Sequence, residues 1–127
     1  MDSYSQFIAK SRYARYIESE NKREDWKETV QRYMEFMEKH LETSAGYTIE
    51  PHVKTKVQRA IENLEVVPSM RAIMTSGKAL ARDNVAGYNC SYLTVDDPKS
   101  FDELMYILLC GTGVGYSVEQ KNIEKLP

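Results

Sequence analysis

The stretch from Tyr88 to Val118 limits the fold more than any other part of the chain. Tyr88, Cys90 and Tyr92 alternate with Asn89, Ser91 and Leu93, which predicts a strand over 88–95. Asp96, Asp97 and Pro98 end it. Ser100, followed three residues later by Glu103, reads as a capping box ahead of the apolar run Leu104 to Leu109, so a buried helix is expected to begin at Ser100. Gly111 stops that helix, and Val114 to Val118 reads as a second strand. Strand, helix, strand predicts a parallel pair joined by a right-handed crossover. Two strands leave sheet faces and edges open, and further βα units normally cover them. The expectation is an α/β fold whose remaining strands come from elsewhere.

The preceding residues read as scaffold. Up to about Leu64 the chain is charge-rich and nearly free of glycine, whereas the later part holds five of the six Gly, both Cys and three of the four Pro. This shift divides the chain into a helical region, 1–65, and the start of an α/β domain, 66–127. Trp26, Val30, Tyr33, Met34, Met37 and Leu41 recur at steps of three and four, predicting an amphipathic helix. Pro51 suits a first helical turn, and Val53, Val57, Ala60, Ile61 and Leu64 supply the stripe of a second. Upstream, Tyr4, Phe7, Ile8, Tyr13, Tyr16 and Ile17 suggest an arm or short helix packing by its aromatics. From Val66 to Asn84 short extended pieces and turns are expected.

Composition removes several classes of function. The 127 residues are 42% hydrophobic and 28% charged, as in a globular domain, and a net charge of -2 supplies no global field for nucleic acid or an anionic membrane. The longest apolar run, Leu104 to Cys110, is far below the roughly 20 residues of a bilayer span, and no signal segment opens the chain. Two cysteines and two histidines without CxxC or HExxH spacing argue against a structural metal. The cysteines read as thiols in a reducing compartment, the cytoplasm.

Few residues are left to carry chemistry. Gly111, Gly113 and Gly115 let backbone approach a phosphate or ribose, but they lie between a helix and a following strand, opposite to a dinucleotide fingerprint, and no Walker lysine follows. A helix stop with a tight turn explains them equally well. Cys90 is either a small buried hydrophobe or, with Asn89 and Ser91 beside it, a redox or nucleophilic thiol. Cys110 continues an apolar run and reads as core. His40 and His52 fall near helix ends and read as structural. Lys10, Arg12 and Arg15, interleaved with Tyr13 and Tyr16, form a basic arm expected to be solvated or to face another subunit.

Four motifs in order carry a family resemblance: Val-Pro-Ser-Met-Arg at 67–71, Ala-Gly-Tyr-Asn-Cys-Ser-Tyr at 86–92, Ser-Phe-Asp-Glu at 100–103 and Cys-Gly-Thr-Gly-Val-Gly-Tyr-Ser-Val at 110–118. Together they resemble the catalytic subunit of ribonucleotide reductase, most of all its monomeric, adenosylcobalamin-dependent type. The stretch from Arg12 to Met37 resembles the helical region that opens those enzymes, and Asn122 to Pro127 also fits. The resemblance implies a ten-stranded α/β barrel, of which this chain holds the helical preface and the first strands, completed by another chain or a missing segment. It implies that Cys90 is one of two thiols that reduce the ribose and close a disulfide, a separate cysteine carrying the thiyl radical. It places Ser69, Asn89, Ser91, Gly111, Gly113 and Gly115 along the substrate, a ribonucleoside di- or triphosphate, and Asp97 and Ser100 near an effector site. Adenosylcobalamin, held mainly by the missing segment, is the implied cofactor, with a separate radical-generating subunit as the alternative. The implied partners are the remaining catalytic chain and a thioredoxin-like reductant, not nucleic acid or membrane.

Two classes of function follow. One is an enzyme component, the N-terminal piece of a split or fragmentary reductase that is inactive alone. The other is a free-standing nucleotide-binding or regulatory module without catalysis. A basic-arm nucleic-acid binder ranks third.

Overall fold

A computed structural model describes residues 1–127, which form two compact units, Met1–Lys78 and Ala79–Pro127. The first is built on two helices. α1 (Ser3–Ile8) runs into a π-turn, Ala9–Tyr13, and then a small antiparallel hairpin of β1 (Tyr16–Ile17) and β2 (Lys22–Arg23). α2 (Trp26–Ala45) begins at a reciprocal cap: the Glu28 N–H donates to Asp25 Oδ1 at 2.9 Å and the Asp25 N–H to Glu28 Oε2 at 2.7 Å. It ends at Gly46, whose φ of 63° is the left-handed conformation glycine adopts cheaply. α3 (Pro51–Glu62) starts on proline as expected. Val30, Met34 and Ile61 form the core, with Trp26 and Tyr33 packed on it, and the Trp26 indole donates to the Ile61 carbonyl at 3.3 Å.

Two expectations are met only in part. Tyr4 and Phe7 are exposed, so the arm does not pack by these aromatics. Part of the stretch read as extended is helical: α4 (Met70–Thr75) and α5 (Lys78–Arg82) follow one another around Gly77, whose φ is 108°. Helices of five or six residues are too short for a period to show. What holds α4 is a buried ion pair. Arg32 donates to Glu24 through Nε at 2.8 Å and Nη2 at 3.0 Å, while its Nη1 donates to the carbonyls of Ile73 at 2.9 Å and Ser76 at 2.8 Å. Arg15 Nη2 donates to the Met74 carbonyl at 3.1 Å. Two guanidinium groups thus satisfy carbonyls at the C-terminal end of α4, where a helix leaves them unpaired. Arg15 is therefore half-buried and tied to α4, whereas Lys10 and Arg12 stay exposed.

In the second unit β3 (Cys90–Thr94) and β4 (Gly113–Ser117) pair in parallel, connected by α6 (Lys99–Leu109), and a short α7 (Gln120–Ile123) follows. The parallel pair is as expected. The capping box is not: α6 begins at Lys99, the Asp97 carboxylate accepts from the Lys99 N–H at 2.8 Å, and Ser100 is buried with its hydroxyl donating to the Thr94 carbonyl at 3.1 Å. Nor is α6 buried. Phe101, Met105, Leu108 and Leu109 are exposed, Leu109 at 79%. Two strands can cover only one side of a helix that is apolar on several. No helix is long and apolar enough to cross a membrane.

Candidate functional site

The site is the face of the β3–β4 pair that carries Cys90. Side chains alternate along a strand, and partners in register share a face. Cys90 pairs with Gly113 and Tyr92 with Gly115, so one face presents a thiol, a phenol and two residues without side chains. Cys90 is a free, exposed thiol, and Tyr92 is also exposed. The reading of Cys90 as a buried hydrophobe is therefore excluded within this chain.

The three glycines of the Gly-Thr-Gly-Val-Gly run do different work. Gly111 has φ 85° and ends α6 with its N–H on the Leu108 carbonyl at 2.9 Å, as a helix stop. Gly113 and Gly115 have no positive φ. A Cβ on Gly113 would come no closer than 3.5 Å to the Asn89 carbonyl, and one on Gly115 no closer than 3.5 Å to Tyr92 Cδ2. Those are ordinary contacts, so neither backbone strain nor crowding inside this chain requires glycine there. Glycine within a strand weakens it and marks close approach of a ligand or another backbone. The two together leave a bare strip beside Cys90.

The other expected residues distribute unevenly. Asn89 is exposed and directly precedes Cys90, its carbonyl accepting from the Gly113 N–H at 2.9 Å. Ser91 belongs to the opposite face, and its hydroxyl donates to the Gly113 carbonyl at 3.2 Å. Ser69 lies in the first unit, exposed, as the N-cap of α4, its Oγ accepting from the Ala72 N–H at 3.4 Å. Asp97 and Ser100 are occupied at the start of α6 as described. Cys110 is half-buried at the C-terminal end of α6 and lies outside both strands.

Three features escaped the sequence reading. Thr112, 1% exposed, donates its hydroxyl to the carbonyls of Val85 and Tyr88, both at 2.9 Å. Tyr106 donates to the Asp83 carboxylate; that bond, ahead of the nearby Cys110, pushes the phenol up to about 12 and holds Asp83 below the usual carboxylate range. Glu24 is the third. Burial pushes its carboxyl up, but Arg32, the Arg15 N–H and the Thr29 hydroxyl outweigh this and leave it below the ordinary value. Only polar residues among apolar ones hint at such contacts; their partners are distant in sequence.

No family model matches the chain. It is 31% identical, over 153 aligned positions, to the adenosylcobalamin-dependent ribonucleoside-triphosphate reductase of Levilactobacillus brevis, an alignment covering 93% of this chain and 20% of that protein. A solved B12-dependent, class II ribonucleotide reductase shares the fold with a TM-score of 0.76 at 24% identity, covering 95% of this chain and 21% of the other. The chain is thus similar, along nearly its whole length, to part of a ribonucleotide reductase. The type it resembles is the adenosylcobalamin-dependent one. It spans about a fifth of the length of each relative.

Proposed function

We propose that this chain forms part of the substrate wall of a ribonucleotide reductase and supplies one of its reducing thiols, Cys90. The single observation that carries this reading is the strip of Gly113 and Gly115 beside an exposed thiol, where nothing within the chain requires glycine. A ribose held against bare backbone would lie next to the Cys90 sulfur.

Replacing a ribose hydroxyl by hydrogen consumes two electrons and two protons and releases water. Two thiols supply both by closing a disulfide, so Cys90 needs a second cysteine, which the remaining polypeptide would provide. Asn89, directly before Cys90, would help hold the nucleotide, and the exposed side of α6 and the open sheet edges would be covered by the rest of the barrel, on the same polypeptide or another. A thioredoxin-like reductant would reopen the disulfide in a reducing cytoplasm. Adenosylcobalamin is named for one relative and B12 for the other, and such a cofactor, bound in the complete reductase, would supply radical chemistry. No group of three or more His, Cys, Asp and Glu in this chain is arranged to hold a metal ion, and the remaining polypeptide would hold most of the cofactor.

The test is Cys90→Ser in the complete reductase. Ribonucleotide reduction should be lost while nucleotide binding persists; undiminished turnover refutes the proposal.

A further inference from the structure

The geometry points to Thr112 as the positioning residue for Cys90: its buried hydroxyl hangs the segment that leads into β3 from the glycine-rich turn that leads into β4. The inference rests on the proposed reductase reading only for its consequence in turnover.

The Thr112 hydroxyl has one proton, shared between the Val85 and Tyr88 carbonyls at 2.9 Å each. The Val85 carbonyl also accepts the Tyr88 N–H at 3.1 Å, closing the 3-10 turn Asn84–Gly87. The next residue, Gly113, donates its N–H to the Asn89 carbonyl at 2.9 Å and pairs with Cys90. Two consecutive residues thus hold three carbonyls of the five residues before Cys90. The β-branched side chain has few rotamers, which keeps the hydroxyl aimed. The glycine-rich run then has three separate duties: Gly111 turns the chain, Thr112 fixes the incoming segment, and Gly113 and Gly115 leave the face bare. Slippage of that segment would move the sulfur along or off the strip.

Valine matches threonine in shape but has no proton to give: the Tyr88 carbonyl would lose its Thr112 donor, and the Val85 carbonyl would keep only the Tyr88 N–H. Serine keeps the proton. Amide hydrogen exchange reads both ends of the strand pair, at Gly113, whose N–H is on Asn89, and at Val95, whose N–H is on Ser117 at 3.1 Å. In Thr112→Val the Gly113 amide should exchange about tenfold faster relative to Val95, whereas Thr112→Ser should keep the wild-type ratio. Alkylation of Cys90 by iodoacetamide, in a Cys110→Ala background, should speed up in the valine variant and return to normal in the serine variant. Where valine prevents folding, Thr112→Ala is read by the same ratio. Equal acceleration at both ends, no change at either, or a serine variant as impaired as valine overturns the inference. Turnover that survives Cys90→Ser defeats the reductase reading but leaves these ratios as they are, so the two failures are distinguishable.

Discussion

Arg32→Met is the most direct test of what holds α4 in place. The substitution keeps length and removes charge. It eliminates the two bonds to Glu24 and those to the Ile73 and Ser76 carbonyls, leaving the Glu24 carboxylate with only the Arg15 N–H and the Thr29 hydroxyl, both at 3.1 Å. The side chains are 17% and 8% exposed, so water replaces little of what is lost. Removing one partner of a buried pair costs about 3–5 kcal/mol, a large share of the roughly 5–15 kcal/mol by which domains are stable. Urea unfolding followed by Trp26, the one tryptophan, which sits against the core, should show a loss of that size. The pH dependence supplies a second sign. Glu24 is depressed in the folded wild type, so its contribution is present above the unfolded carboxyl value and is lost as pH falls through the folded one. Without Arg32 the largest lowering influence is gone and the folded carboxyl moves up toward its unfolded value, so the variant should lose less stability than wild type as pH falls through the folded wild-type value. A loss below about 1 kcal/mol, or acid sensitivity equal to that of wild type, refutes the reasoning.

The glycines should separate by variant. Gly111→Ala forces a Cβ into φ 85° and should cost about 1 kcal/mol in urea unfolding. Gly113→Ala and Gly115→Ala should leave stability within about 1 kcal/mol of wild type yet weaken nucleotide binding by the complete reductase, measured by calorimetry. In an ultraviolet titration of the phenols, Asp83→Asn should bring Tyr106, pushed up to about 12, back toward the ordinary range.

Much of the scaffold was legible because it is local. The three-and-four spacing from Trp26 to Leu41, proline at position 51 and the alternation around Cys90 each describe one element, and the structure builds α2, α3 and the parallel β3–β4 pair from them. The motifs around Cys90 also led to the family of the relatives. Tertiary structure decided the rest. Ser100 and Glu103 have the spacing of a cap, yet Ser100 turns inward to Thr94, because a buried hydroxyl takes whichever carbonyl the fold brings to it. Arg15 and Arg32 look like surface charge until α4 places its carbonyls beside them. Thr112 is one letter in a glycine-rich run, and its partners lie 27 and 24 residues earlier. Periodicity reports which face of a single element is apolar. Which donor meets which acceptor across dozens of residues is set only when the elements have packed.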